Sequence, residues 1–328
     1  MKLGLVLGGG GIIGLGYHAG VLQALADRDV RVADADVIVG TSAGAIVAAY
    51  MTAGWSQSDF FEYSSGRHPS ARTEGGGHVD AGPLSIPLWR SHGERVRRSI
   101  GSAFAMAASR GFYKTGGRIP LTPLRRAFPS GLYSTEATKA RFHQDLPHDW
   151  PRPGIVLCTA ELYTGRRVAF GMPEAPPARF PDATLASTAI PGVFPPVRIG
   201  SGHYVDGGVV SGTSLDLAVE LGCEVILCIA PLGYRRDAPF PVHDPRKWSP
   251  VLVRMPFARI LRREVLAARR AGVQVLVVRP WISDLAAHGT NSMRPHDRAS
   301  LAQSARAGTH RLLDEIHDHP VLGAFATT

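Results

Sequence analysis

VIVGTSAGAIVAAY, residues 37–50, sets a serine on the junction between two kinds of secondary structure. VIVG is short, apolar and β-branched, as a buried strand requires, and AGAIVAAYMTAG (43–54) is a run of helix formers that ends at Gly54. Ser42 lies between them, with Gly40 two residues before it and Gly44 two residues after it. A serine at the apex of a sharp strand-to-helix turn is exposed at the C-terminal edge of a sheet, where α/β proteins place their sites. Flanking glycines permit a strained backbone and close strand–helix packing, and the helix start beneath the serine supplies N–H groups and a positive dipole end.

The same rhythm extends outward from this junction. LGLVL (3–7) reads as a strand, the glycine run after it as a turn, and YHAGVLQALADRD (17–29) as a helix. GIVLCTAEL (154–162) and RRVAF (166–170) form an expected hairpin through Tyr163, Thr164 and Gly165. CEVILCIA (223–230) and VQVLVVRP (273–280) are two more buried strands, separated by a proline-rich loop (232–250) and the basic helix FARILRREVLAARRAG (257–272). A closing helix is expected over 297–317. Alternating strands and helices with tight turns predict a mostly parallel sheet covered by helices, in one domain over 1–328. Residues 64–93 break the pattern with Gly, Ser, Pro and His, and 64–118 is read as a flap beside the site.

Composition narrows the function class. The chain has 328 residues, 45% hydrophobic and 19% charged, which is ordinary for a folded globule. Its net charge of +9 is carried mainly by arginines spread along the chain without a dense cluster, so nucleic acid is not expected as a partner. An anionic membrane surface suits the charge better than nucleic acid does, and a generic basic surface is the plainest reading. Two helical stretches with apolar centres and basic ends, 95–112 and 248–270, either lie on a membrane interface or pack on the sheet with their arginines in solvent. No apolar run reaches the roughly 18 residues of a membrane span. The N-terminal segment resembles a signal peptide only until its four consecutive glycines, and it is read as the first strand. Cys158, Cys223 and Cys228 are an odd number of cysteines in strand-like runs, as expected of reduced thiols in the cytoplasm, and no ligand spacing suggests a metal.

Two further segments carry chemistry. Gly8, Gly9, Gly10 and Gly11, followed by Ile12, Ile13 and Gly14, sit between strand and helix, and such a loop converges several N–H groups on one point. It contains GxGxxG from Gly9 to Gly14, the pattern of a dinucleotide site. That reading wants an acid at the end of the second strand, where GTSAG stands instead. The second segment, STAIPGVFPPVRIGSGHYVDGGV (187–209), carries Pro191 and ends with Asp206 after a short strand and before Gly207 and Gly208. A carboxylate on a glycine turn can accept a serine proton directly. His18 and His203 are the histidines nearest these motifs and are read as packed or solvated.

Taken together, the glycine loop, GTSAG, STAIPGVFPP and DGG resemble the patatin-like phospholipase family of lipid acyl hydrolases, in the family's order and over about residues 3–212. The resemblance implies a three-layer α/β/α fold and a hydrolase of lipid esters (a phospholipase, lysophospholipase or lipase-type esterase) that works through an acyl-enzyme without metal or organic cofactor. It assigns Ser42 as nucleophile, Asp206 as general base of a Ser-Asp dyad, and the N–H groups of Gly9, Gly10 and Gly11 as the oxyanion hole, with Gly8, Gly14, Gly40, Gly44, Pro191, Gly207 and Gly208 in support. Members often carry Arg or Lys in the glycine loop where this chain has Ile12 and Ile13. The other classes compatible with these loops are a catalytically weak lipid-binding protein and a nucleotide-binding module. Transacylases and thioesterases share the same acyl-enzyme.

Overall fold

The protein is described from a computed structural model, which describes residues 1–71, 86–102, 130–237, 245–289, 293 and 298–326. The fold class is α/β, a mixed sheet flanked by helices, and the chain forms two compact units: Met1–Asp80 with Ser211–Thr328, and Ala81–Val210.

The first unit holds the parallel part of the sheet. Strand β1 (Leu3–Leu7) is central, with β2 (Val37–Thr41) on one side and β7 (Val225–Ile229) then β8 (Gln274–Val278) on the other, all parallel. Leu5 pairs with Ile38 and with Leu227, and Leu227 with Leu276. Every residue of β1, β2 and β7 is buried, which is why these strands are continuous apolar runs rather than alternating ones. Chain order runs away from β1 in both directions, so the loops after β1, β2 and β7 open at the sheet's C-terminal edge, where such folds bind ligands.

Helix α1 (Gly11–Ala26) starts six residues before the expected Tyr17, which places the buried Ile12 and Ile13 in its first turn. Helix α2 (Ala43–Thr52) follows Ser42, and α3 (Gln57–Ser64), which was not anticipated, is opened by a capping box between Ser56 and Asp59. The closing helix spans Arg298–Glu315 and packs along α1. A methyl group on Gly20 would lie 2.1 Å from the carbonyl oxygen of Ala302 in that helix, so the two backbones meet where only glycine fits. The basic helix is longer than expected, Pro245–Arg270, and takes in Pro250 and Pro256. The Pro250 carbonyl accepts a hydrogen bond from the buried Arg254 Nη1 at 3.1 Å, one turn further along the helix.

The second unit holds antiparallel strands. β3 (Ile155–Glu161) pairs with β4 (Arg167–Phe170), the expected hairpin, and with β6 (Gly202–Asp206), which in turn pairs with β5 (Val197–Ile199). Gly165 turns the hairpin at φ 64°, and the Glu161 carboxylate accepts the Tyr163 and Thr164 amides at 3.1 and 2.7 Å. Residues 92–102 are helical. Most of the expected flap, together with the remainder of 95–112, lies outside the described residues.

Two histidines are sealed in the first unit. His18 is fully buried and donates from Nε2 to the Gly8 carbonyl at 2.7 Å, and burial lowers its pKa to about 4. His288 is 1% exposed against the ring of Tyr17, and burial and the nearby Arg254 charge lower it to about 3.

These packing details give two expectations. Gly20→Ala is expected to cost about 1–3 kcal/mol of unfolding free energy by overpacking. Gly323→Ala has open space for its methyl group within a helix and is expected to be neutral or stabilising by up to about 1 kcal/mol; urea denaturation of both measures the contrast. Both histidines are held neutral by the fold, whereas the unfolded chain protonates them below about pH 6.5. Their contribution to stability is therefore full above about pH 6.5 and is lost as pH falls toward 4 for His18 and 3 for His288. Denaturation midpoints against pH, with a shallower decline in His18→Gln, check this.

Candidate active site

The site begins with the backbone of Ser42. Its dihedrals are φ 55° and ψ −120°, a conformation that L residues with side chains rarely adopt and that costs about 1–3 kcal/mol. The surrounding contacts leave the chain little alternative. A methyl group on Gly44 would sit 1.9 Å from the Leu7 carbonyl oxygen, and one on Gly40 would sit 2.7 Å from the Ala45 Cα. Helix α2 is thus pressed against the end of β1 and doubled back on β2, and the single residue between must turn through positive φ. Ser42 is 5% exposed and caps α2 without a side-chain cap bond to that helix, while its carbonyl accepts the Ala45 amide at 2.9 Å.

The glycine loop lies against this turn, because β1 and β2 are adjacent and Leu7 pairs with Gly40. A methyl group on Gly9 would be 3.1 Å from the Ser42 Cβ, and one on Gly14 would be 3.2 Å from the Ala43 Cβ. Gly9 and Gly14 thus touch the Ser42 turn, Gly40 and Gly44 flank it in the chain, and Gly8 packs behind the loop against Gly212, Ile229 and Thr213. Three bonds hold the loop from behind: Gly8 N–H to the Ile229 carbonyl at 2.8 Å, Gly9 N–H to the Gly212 carbonyl at 2.8 Å, and the Gly8 carbonyl to His18.

The Gly9 amide is thus already engaged. Gly10 caps α1 and Gly11 opens it at φ 60°, and their amides head the helix with no hydrogen-bond partner among the described residues. They are two donors at the positive end of a helix dipole, an arrangement that favours a negatively charged oxygen. Ile12 and Ile13, where the family often has a cation, are 4% and 3% exposed, so this part of the loop offers packing rather than charge.

Asp206 belongs to the second unit. It is the last residue of β6, paired with Thr159 and 5% exposed. Its amide donates to the Ala189 carbonyl at 3.0 Å, and its Oδ1 accepts the Gly208 amide at 2.7 Å. The STAIPG segment thus holds the backbone of Asp206, and the DGG turn holds its carboxylate. Gly207 is pressed on β3, where a methyl group would meet the Cys158 carbonyl at 2.5 Å, and Pro191 bridges to Phe194 in the same segment. His203, three residues back on the strand, points to the opposite face by strand alternation and packs edge-on to Tyr163. Sequence reading missed the Gly212 carbonyl, for which the small-residue run Ser211–Ser214 after DGGVV was the available signal.

Among solved structures the chain is similar to VipD from Legionella pneumophila, at 16% identity and a TM-score of 0.44, over 96% of this chain and 66% of that one. It is also similar to the type III effector protein ExoU, at 18% identity and a TM-score of 0.37, over 96% of this chain and 53% of that one. The chain therefore spans less than two thirds of the length of either. A family model, Patatin-like phospholipase, matches residues 5–219, well over half of the chain and all of the loops described above. The protein is a member of the patatin-like phospholipase family.

Proposed function

We propose that the protein hydrolyses lipid esters, with Ser42 as nucleophile and Asp206 as general base. The observation that carries this reading is the strained, positive-φ Ser42 at the head of α2, in contact with a glycine loop that presents two amides at the head of α1. In this scheme Asp206 takes the proton of the Ser42 hydroxyl as its oxygen attacks the ester carbonyl carbon. The carbonyl oxygen gains the negative charge and is met by the Gly10 and Gly11 amides. Collapse of the tetrahedral intermediate expels the alcohol of the lipid, which takes the proton back, and leaves an acyl-serine. Asp206 then activates a water to release the fatty acid. Each oxyanion donor of this kind contributes about 100- to 1000-fold in rate. Gly9 supports the hole through its bond to Gly212 rather than by donating to the substrate.

The lipid class of the substrate follows from the family, and one face of the first unit supports access to it at a surface. The helix Pro245–Arg270 exposes Leu252, Val253 and Leu266 together with Arg259, Arg262, Arg263 and Arg270, while its one acidic residue, Glu264, is turned inward. Exposed apolar side chains interleaved with cations that have no carboxylate partner among the described residues suit the surface of an anionic bilayer. No helix among the described residues is long and apolar enough to cross a membrane. The three cysteines are free and buried, which suits a reducing compartment such as the cytoplasm.

Ser42→Ala is expected to abolish both labelling by a fluorophosphonate and release of fatty acid from a phospholipid panel read by mass spectrometry. Undiminished release would refute the assignment. Asp206→Asn should keep the unfolding midpoint and lower turnover by about 1000-fold or more, as expected when a base is lost. Arg259→Gln with Arg263→Gln should weaken sedimentation with anionic vesicles by about 30-fold, at about 1 kcal/mol per arginine, and leave hydrolysis of a soluble ester unchanged.

A further inference from the structure

The turn Ser211–Ser214 belongs to the first unit and contributes no group to the chemistry above, yet it is held by an unusual partner. Glu264 extends from the middle of the helix Pro245–Arg270 and accepts three hydrogen bonds from this turn and the residue after it: Ser211 Oγ at 2.5 Å, Thr213 Oγ1 at 2.7 Å and the Leu215 amide at 3.2 Å. Ser211 Oγ in turn accepts the Thr213 amide at 3.2 Å and the Ser214 amide at 2.9 Å. Ser214 is drawn into left-handed backbone at φ 51°. Among the described residues no cation pairs with this carboxylate, although the helix that bears it is rich in arginine. Withdrawing a lone carboxylate from water costs several kcal/mol, and the three donors are what offset it.

The turn so held leads directly to the glycine loop. The Gly212 carbonyl, between the two clamped hydroxyl residues, is the acceptor of the Gly9 amide at 2.8 Å. Gly8 is close enough that a methyl group there would meet both the Gly212 oxygen and the Thr213 Cγ2 at 3.1 Å. Four steps thus connect the long helix to the loop beside Ser42: carboxylate to hydroxyls, hydroxyls to turn, turn carbonyl to Gly9, and Gly9 to the two amides that follow it.

We infer that Glu264 is a positioning residue for the oxyanion hole: through Ser211 and Thr213 it fixes the Gly212 carbonyl, which holds Gly9 and so aims the Gly10 and Gly11 amides. The inference rests on the proposed role of Ser42 and adds to it a residue outside the family-matched segment 5–219. A carboxylate is suited to this task because it accepts from both hydroxyls at once. The glutamine amide has one acceptor oxygen and turns two N–H donors toward hydroxyls that are already donating.

The test compares wild type, Glu264→Gln and Thr213→Val, which keeps side-chain shape and removes one hydroxyl, with Ser42→Ala as the unreactive control. The measurements are the unfolding midpoint, the rate of fluorophosphonate labelling, kcat and KM on a soluble ester, and hydrogen exchange at the Gly9 amide by NMR. Misaimed donors should lower labelling rate and kcat by about 10- to 100-fold in both variants, leave KM within about threefold, and speed Gly9 exchange by about tenfold or more. The variant combining Glu264→Gln with Thr213→Val should be no slower than the slower single one, because both act through one turn. A folded Glu264→Gln protein with wild-type labelling and kcat would overturn the inference, as would losses no larger than the unfolded fraction explains. If Glu264→Gln does not fold, the same outcomes are read from Thr213→Val. Wild type that is not labelled at Ser42 would instead mark failure of the proposed nucleophile, and unchanged Gly9 exchange in the variants would then overturn the clamp itself.

Discussion

The geometry of the first unit depends on one close approach, that of Gly44 to the carbonyl of Leu7. Helix α2 can pack on the end of β1 only if residue 44 has no side chain, since a methyl group there would come within 1.9 Å of that oxygen. Once the helix is seated, the chain between β2 and α2 must reverse within one residue, and Ser42 takes the positive φ that the reversal demands. The cost of that strain is met by the packing of the parallel sheet, in which β1, β2 and β7 are buried throughout and β1 is paired on both sides. Strain at a single residue inside an otherwise regular framework is a recurring mark of functional positions.

The glycine loop is rigid for different reasons. Glycine has the largest conformational freedom to lose, so a run of four needs anchors at several of its polar groups. Here the Gly8 amide goes to β7, the Gly8 carbonyl to a neutral buried histidine and the Gly9 amide to Gly212. His18 acts as a tether rather than a proton carrier, since burial holds its pKa near 4 and one ring nitrogen is committed to the backbone. The two amides left over, those of Gly10 and Gly11, head α1. Under the proposed chemistry they are donors aligned in advance, which need no reorganisation as charge develops.

The long helix Pro245–Arg270 has two faces with separate uses. Its inner face delivers Glu264 to the turn behind the glycine loop, and its outer face presents arginines and aliphatic side chains to solvent. Arg254, between the two, is buried and bonded to the Pro250 and Gly289 carbonyls, and burial lowers its pKa to about 10. That one helix both supports the loop and bears the basic surface makes the far third of the chain more than a scaffold.

Much of this was legible in the sequence. The strands β1, β2, β3 and β7 were visible because a strand buried on both faces must be a short apolar, β-branched run, β8 because most of it is one, and β4 because a Gly-containing turn joins it to β3 as a hairpin. The strand–Ser–helix junction was visible because only glycine at both flanks permits it. The family likeness followed from the order of four short motifs. Other features are decided by tertiary contacts between residues far apart in the chain. The start of α1 at Gly11 depends on burial of Ile12 and Ile13, which no local propensity reports. The prolines within Pro245–Arg270 argued locally against helix, yet the helix runs through both. The commitment of the Gly9 amide to Gly212, and of Gly212's turn to Glu264, links positions about 200 and 50 residues apart. Hydrogen bonds of that kind leave no periodicity or composition behind, so sequence could name the glycines around the serine, but only the folded chain decides which of their amides are left to act.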